Sequence, residues 1–285
     1  MKKIFLSILM LSVLNAFCQQ KAFKVEVYGT GQPIILIPGY ACSGDVWKST
    51  VDTLKGKYQL HVLTLAGFAG VLPIDTPVLK TVKNELIQYV RQNHLDKPVL
   101  IGHGLGAFIS LWTASEDPSL FSKILCVDGV PYISPTKYPA ASSIDIRKVP
   151  AYNAETIAYN FANMPIKEFK ANQFKAMRNM VKDSTNARLI TNWSASSDRK
   201  TLTSTYEELG TLDLRNAISK INIPVLILGS NFRTKELSKK LLDDEYGNLA
   251  NKLILIAPTK HFIMYDDPIW FREEVRNFLR NGIAN

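Results

Sequence analysis

The chain contains little of what builds disulfide frameworks or metal sites. Its 285 residues include three cysteines and four histidines, and no histidine–carboxylate spacing is typical of a metal site. It has no apolar run long enough to span a bilayer, and its formal charge of +9 is not concentrated in a dense basic run with interleaved aromatics. We therefore expect no metal, no cofactor, no nucleic-acid partner and no membrane span in the mature protein.

The N-terminus is typical of an export signal. Two lysines precede an apolar run at 4–14, which is too short to serve as a mature transmembrane helix. Cleavage after Cys18 would place small residues, Ala16 and Cys18, at the cleavage-site positions. A minor alternative is a lipoprotein in which Cys18 is acylated and kept as an anchor. We predict a signal peptide over residues 1–18 and an exported protein, either periplasmic or extracellular.

Two cysteines, Cys42 and Cys126, remain after removal of the leader. Cys126 lies in an apolar strand-like segment and Cys42 in a loop, so two small buried thiols fit the pattern at least as well as an oxidised pair. The sequence leaves this alternative open, and it sets no oligomeric state.

Apolar strands alternate with helical segments along most of the chain. Except for an alternating edge segment at 23–27, these strands are apolar throughout, as in a parallel sheet covered by helices on both faces. They lie at residues 34–37, 60–65, 99–101, 124–127, 224–228 and 253–256. The fold class is therefore α/β, with core segments predicted at 22–131 and 222–285.

The alternation stops between residues 132 and 221. This part contains four prolines and helical patterns at 154–163, 166–181 and 200–209, without a convincing strand. We predict a helical cap inserted into the sheet domain over residues 132–221. Aromatic and methionine residues at helical spacing in this cap are typical of packing onto the core, and those that face a cleft would favour an apolar acyl or ring-bearing ligand.

A glycine-dense corner follows the strand at 99–101. Gly102-x-Gly104-x-x-Ala107 matches a dinucleotide-binding turn. Asp128, at the end of the next strand, could then hold a ribose hydroxyl. The corner also matches Gly-x-Ser-x-Gly, in which a serine nucleophile sits at a strand-to-helix turn, except that Gly104 replaces the serine. The dinucleotide fingerprint normally follows the first strand of its unit, whereas three strand-like segments precede this corner, so we favour the second interpretation.

The surroundings of the corner resemble the α/β-hydrolase family over essentially the whole mature chain. The similar segments are the strand and loop that supply an oxyanion-hole amide, the nucleophile elbow, the late strand and the terminal histidine loop, at 34–40, 101–106, 224–229 and 260–268. The resemblance implies a mostly parallel central sheet flanked by helices, with an inserted cap. It also implies hydrolysis of an ester or amide bond in a small acyl-type substrate.

The resemblance assigns a role to five positions. His261 would be the acid–base residue, and Asp128 would be the carboxylate that orients it. Tyr40 and Leu105 would contribute backbone amides to an oxyanion hole. Gly104 would stand at the position of the nucleophile, where it is inactive because it has no side chain.

The chain departs from the family pattern in two places. The elbow serine is absent, and the loop at 229–233, where the resemblance would place the acid, contains no acidic residue. Asp128 fits the variant in which the acid follows the preceding core strand. Cys42 is a poor substitute nucleophile because it lies in the oxyanion loop, and His103 is interpreted as a packing or hydrogen-bonding residue beside the corner.

Two neighbouring carboxylates precede the last helical pattern. Asp266 and Asp267 stand directly before Pro268, and proline suits the first position of a helix. We predict that both carboxylates cap this helix, because negative charge is favourable at a helix N-terminus.

The missing nucleophile limits the chemistry. Loss of a triad nucleophile typically costs about six orders of magnitude in turnover, and the residual catalysis comes from the oxyanion hole and from binding. Efficient covalent hydrolysis is therefore excluded for this chain. Gly104 is consistent with a replaced nucleophile, with a natural pseudoenzyme that binds an acyl-type ligand, or with nucleophile-free chemistry in which His261 is the general base. A non-catalytic binding protein and an NAD(P)-dependent oxidoreductase are the alternative functions.

Overall fold

The computed structural model describes residues 21–75, 77–133, 161, 163–231 and 234–283. The predicted leader at 1–18 lies outside these residues, as does the helical pattern at 154–163 except for residues 161 and 163. Within the described ranges, no helix is long and apolar enough to cross a bilayer.

Seven strands form one sheet. They are β1 (Phe23–Tyr28), β2 (Gln32–Ile37), β3 (Tyr58–Leu65), β4 (Val99–His103), β5 (Lys123–Val127), β6 (Val225–Ser230) and β7 (Lys252–Ala257). Their order across the sheet is β1-β3-β2-β4-β5-β6-β7. Only β1 is antiparallel to its neighbour, and the other pairs are parallel. The predicted α/β fold with a mostly parallel central sheet is confirmed, and the alternating first strand lies at the sheet edge.

Helices cover both faces of this sheet. They are α1 (Lys48–Leu54), α2 (Val78–Gln92), α3 (Leu105–Glu116), α4 (Ile166–Met180), α5 (Ser184–Ala195), α6 (Arg199–Thr211), α7 (Lys235–Glu245), α8 (Ile263–Asp266) and α9 (Pro268–Asn281). In β2, Ile35 and Ile37 pack with α2 and α3, whereas Ile34 and Leu36 pack with α1 and α9. Strand side chains point alternately to the two faces. The strands are therefore apolar throughout because both faces are buried.

Three helices, α4, α5 and α6, follow β5 and precede β6, and the described residues between these strands contain no further strand. We keep the name cap for these three helices and the residues that join them. The sequence patterns predict α4 and α6 but not α5, which is rich in the weak helix formers serine, threonine and asparagine. Asp183 sets its start by accepting the N–H groups of Thr185 and Asn186 at 2.8 and 2.9 Å. Tertiary packing of Ile190 and Trp193 then holds the helix in place.

The cap is fastened to the core by polar contacts. Glu208 of α6 accepts the N–H of Val78 at 2.6 Å and the N–H of Leu79 at 2.9 Å. These are the first two residues of α2, whose own N-cap residue makes no side-chain hydrogen bond. Glu208 therefore satisfies amides that have no partner within α2. Leu202, also in α6, accepts the Tyr40 hydroxyl at 2.6 Å.

The prediction that both Asp266 and Asp267 cap the last helix is right for Asp267 and wrong for Asp266. Asp267 is the N-cap residue of α9, and its Oδ1 accepts the N–H of Trp270 at 3.2 Å. Asp266 lies one residue too early to reach the first turn, and its carboxylate binds backbone N–H groups elsewhere.

Candidate active site

The corner between β4 and α3 is a tight turn at Gly104, whose φ and ψ are 51° and −111°. A Cβ at Gly102 would overlap the backbone of Gly106, and a Cβ at Gly106 would overlap the carbonyl of Ile37. These two glycines therefore allow α3 to approach β4 and β2 more closely than a side chain would permit. The chain bends sharply enough to present position 104 at the carboxyl end of the sheet.

Gly104 faces the imidazole of His261. An ideal Cβ built at Gly104 would lie 3.3 Å from both Nε2 and Cε1 of that ring. On its other side, the His261 Nδ1 lies 2.7 Å from Oδ2 of Asp128. A carboxylate at Nδ1 selects the tautomer in which Nδ1–H donates and Nε2 carries the lone pair. The basic nitrogen therefore faces the place where a serine hydroxyl would stand.

Asp128 is held rigidly at the end of β5. Its Oδ1 accepts the N–H of Ser230 at 2.6 Å, and its Oδ2 accepts the Ser230 hydroxyl at 2.9 Å as well as the His261 ring. Its backbone has φ +44°, a left-handed conformation that is costly for a residue with a side chain. Sequence reasoning missed Ser230, which lies in the segment where an acid was sought.

The two loops predicted to form an oxyanion hole lie side by side. The Cα of Gly39 is 4.0 Å from the ideal Cβ position at Gly104. Tyr40 follows Gly39, and Leu105 follows Gly104 as the first residue of α3, where a backbone N–H has no partner inside the helix. The Tyr40 side chain turns away to the cap, and burial raises the pKa of its hydroxyl. The residues that precede Tyr40 and Leu105 thus lie close together beside His261, and the oxyanion role of the Tyr40 and Leu105 amides stays a prediction.

His103 lies buried beneath the candidate site. Its Nε2 is 3.2 Å from the carbonyl oxygen of His261, and the two ring centroids are 4.3 Å apart. Burial, helped by the neighbouring His261, lowers the pKa of His103 well below its usual range. The ring is therefore neutral, and Nε2–H donates to the His261 carbonyl.

The two cysteines are separate buried thiols. Neither Cys42 nor Cys126 is paired, and burial raises the pKa of each to about 12. The Cys42 thiol donates to the Tyr40 carbonyl at 3.4 Å. Because a protonated thiol is a poor nucleophile, Cys42 does not replace the missing serine. The part of the chain that the structure describes holds no group of three or more His, Cys, Asp or Glu suited to a metal ion.

The residues of the dinucleotide pattern have other roles in the fold. Gly102 packs against the first turn of α3, and a Cβ at Gly129 would lie 2.5 Å from the Cβ of Ala107. Asp128 is engaged with His261 and Ser230. The glycine spacing is thus explained by close packing around a nucleophile-type elbow.

A wide groove of about 840 Å³ lies apart from these residues, between α1, α5 and α9. Its lining combines the cations Lys48, Arg272 and Arg276 with the carboxylates of Asp45 and Asp52. These opposite charges select no class of ligand, so the groove does not compete with the histidine site as the functional centre.

Sequence comparison finds a match to the model of the alpha/beta hydrolase family over residues 34–274. Among curated relatives, a pimeloyl-(acyl-carrier protein) methyl ester esterase from Legionella pneumophila is 25% identical over 253 residues, which cover 85% of this chain and 94% of the relative. The Aeromonas hydrophila protein of the same name is 24% identical, with 90% and 98% covered.

Solved structures show the same fold. A hydrolase from Pseudomonas aeruginosa superposes with a TM-score of 0.73 at 14% identity, covering 90% of this chain and 94% of that one. An esterase from Exiguobacterium antarcticum gives a TM-score of 0.72 at 16% identity, with 91% and 96% covered. Together with the match to the family model and the elbow and histidine loop described above, these similarities show that the chain belongs to the alpha/beta hydrolase family.

Proposed function

We propose that this chain is an exported protein of the alpha/beta hydrolase family that binds a small acyl-type ligand and forms no acyl-enzyme with it. One observation carries the proposal. The Cβ position at Gly104 lies 3.3 Å from Nε2 of His261, so the space that a nucleophilic side chain would occupy is bordered by a general base and holds no hydroxyl.

The expected chemistry follows from the histidine and carboxylate that are present and from the nucleophile that is missing. In a serine hydrolase, the hydroxyl attacks the carbonyl carbon while histidine takes its proton, and a carboxylate stabilises the charged ring. His261 and Asp128 have the geometry for the second and third roles. Without a side chain at Gly104 no covalent bond to the acyl carbon can form, and the loss is about six orders of magnitude in turnover.

The ligand class is supported by the surroundings of the site. Gly39 and Gly104, which directly precede Tyr40 and Leu105, lie close together beside His261. A carbonyl oxygen bound there could accept the N–H groups of Tyr40 and Leu105. The similar esterases act, by their names, on a methyl ester of an acyl chain. A small acyl compound is therefore the class of ligand that we assign to this site.

A second candidate function is slow hydrolysis without a covalent intermediate. It is favoured by the tautomer of His261, because a water in front of Gly104 would donate a proton to the free Nε2 while its oxygen attacks the ester carbonyl. The proton would then pass from Nε2 to the leaving alcohol. Such a route is limited to about 10³- to 10⁴-fold over the uncatalysed reaction.

Gly104→Ser tests the proposal. The unchanged chain, Gly104→Ser and Gly104→Ala would be compared on a panel of activated acyl esters, with His261→Ala added to each. We expect serine, but not alanine, to raise turnover by at least about a thousandfold, and His261→Ala to abolish the gain. The ring of His261 must withdraw by a few tenths of an ångström to admit the new Cβ, which its partly exposed position allows.

The outcomes distinguish ligand binding from slow hydrolysis by water. If serine restores nothing although the variant folds, the assignment of His261 and Asp128 to an acyl site is wrong. If the unchanged chain already turns over esters and His261→Ala removes that activity, the water route replaces the pure binding function.

Export is tested separately by sequencing the N-terminus of the mature protein. A mature chain that begins at residue 19, or an acylated Cys18, would support the predicted leader. An intact Met1 would contradict it.

A further inference from the structure

Asp266 connects the histidine loop to the cap. Its Oδ2 accepts the backbone N–H of Lys260 at 2.9 Å, and its Oδ1 accepts the backbone N–H of Lys182 at 2.8 Å. Lys260 directly precedes His261, whereas Lys182 lies just beyond the end of α4. A single carboxylate thus satisfies two backbone amides on segments that are far apart in sequence, and both bonds are charge-assisted.

Further hydrogen bonds cross the same boundary between the histidine loop and residues 178–182, which we term the cap corner. The backbone N–H of Phe262 donates to Met180 at 3.2 Å, the Lys260 ammonium to the Arg178 carbonyl at 2.7 Å, and the Lys182 ammonium to the Pro258 carbonyl at 3.0 Å. The residues on both sides of His261 are therefore held by the cap corner.

The core makes fewer hydrogen bonds with the same loop. The His261 carbonyl lies 3.2 Å from Nε2 of His103, and its ring lies 2.7 Å from Asp128. The Thr259 carbonyl also accepts the N–H of Asn231 at 3.1 Å, and Phe262 is buried in the core. The backbone that carries the imidazole is thus held from both sides, with more polar contacts from the cap corner. A shift of the cap corner would move Lys260 and Phe262 together, and with them the ring that faces Gly104.

We infer that Asp266 is a positioning residue, which transmits the position of the cap corner to the bond between His261 and Asp128. The inference deepens the proposed function, on which the chemical role of His261 rests. A ligand that displaces the cap would thereby change the geometry of the histidine, so that the state of the cap and the state of the site are coupled.

Asp266→Asn in the full chain tests this coupling. The substitution removes the charge and turns one of the two acceptors into an N–H₂ group that faces a backbone N–H. Asp267→Asn is the matched control, since it removes the same charge one residue later while asparagine still caps a helix. Two readouts need no activity: hydrogen exchange of the amides at 182 and 260, and the proton NMR signal of the His261 Nδ1–H.

We expect Asp266→Asn to speed exchange at both amides by roughly 10- to 100-fold, the effect of losing about one charge-assisted hydrogen bond. We also expect the Nδ1–H signal to broaden or shift upfield, with no such change in Asp267→Asn. Lys260→Met, which removes the two bonds from the Lys260 ammonium to the Arg178 and Val181 carbonyls, should act in the same direction but more weakly. If Asp266→Asn does not fold, Lys260→Met is measured in its place.

An unchanged Nδ1–H signal in a folded Asp266→Asn variant, or in Lys260→Met, would overturn the inference even if thermal stability falls, because a merely structural role affects only stability. Faster exchange and a shifted signal in a chain whose Gly104→Ser form remains inactive would support the coupling and refute only the proposed function. In an active Gly104→Ser background, Asp266→Asn should lower kcat more than it raises KM.

Discussion

His261 and Asp128 lie 2.7 Å apart, from Nδ1 to Oδ2, although one follows β7 and the other follows β5. Ser230 fixes the far side of the carboxylate, so that the Nε2 of His261 is aimed at Gly104. A histidine held in this way is prepared to take and return a proton. This geometry supports the proposed acid–base roles of His261 and Asp128 beside a position that has no side chain.

The positive φ at Gly104 predicts a cost in stability for any side chain there. Its φ and ψ are 51° and −111°, and such a sparsely populated conformation costs a residue other than glycine about 1–3 kcal/mol. Gly104→Ala should lower the free energy of unfolding, measured in urea, by about this amount. Gly210→Ala is the control, because Gly210 lies in α6 with open space around it, and alanine there should add about 0.5–1 kcal/mol. Equal stability of Gly104→Ala and the unchanged chain would contradict the assigned turn.

Neutral His103 predicts a loss of stability on the acid side. Burial lowers its pKa in the folded chain, whereas the unfolded chain binds a proton near pH 6.5. The stabilisation is therefore complete above about pH 6.5, and it falls below that value by up to about 1.4 kcal/mol per pH unit. His103→Asn should flatten this dependence in urea titrations between about pH 7.5 and 5.5.

His61 provides the comparison for this pH experiment, since burial also lowers its pKa although it lies away from the site. His61→Asn should remove a separate part of the slope, and the two changes should add because the residues share no contact. Parallel curves for His103→Asn and the unchanged chain would show that His103 is not neutral in the folded state.

The contact of Glu208 with α2 predicts that it stabilises the attachment of the cap. Glu208→Gln should lower the free energy of unfolding by about 1 kcal/mol, since a carboxylate at a helix N-terminus is lost. The adjacent exposed Glu207 gives a matched control, and Glu207→Gln should leave stability nearly unchanged. Limited proteolysis of the cap should rise only in the Glu208 variant. Equal effects of both substitutions would contradict a specific role of Glu208 in attaching the cap.

Much of the architecture could be predicted because it rests on local patterns. The apolar strands are continuous since both faces of the sheet are buried, and the alternating segment at 23–27 lies at the edge. The helix at Ser184–Ala195 was not predictable in this way. Its residues have low helix propensity, and it is held by an N-terminal cap and by packing against the core.

The candidate site was predictable in its residues but not in its contacts. The glycine corner and the terminal loop indicated Gly104 and His261, and the lack of an acid at 229–233 directed attention to Asp128. Ser230 and Asp266 carry no comparable signal, because a serine at a strand end or an aspartate near a helix start is common in any chain. Their roles come from segments that meet only in the folded protein.

The sequence by itself determined the layered α/β fold, the family, and the absence of a hydroxyl at the elbow, because these depend on residue identity and on periodic burial. Only the tertiary structure decided that the Cβ position of Gly104 faces Nε2 of His261 and that Ser230 hydrogen-bonds Asp128. It also decided that Asp266 connects the histidine loop to the cap. Such contacts depend on how the strand ends are arranged along one edge of the sheet, and that arrangement follows from the packing of the whole chain.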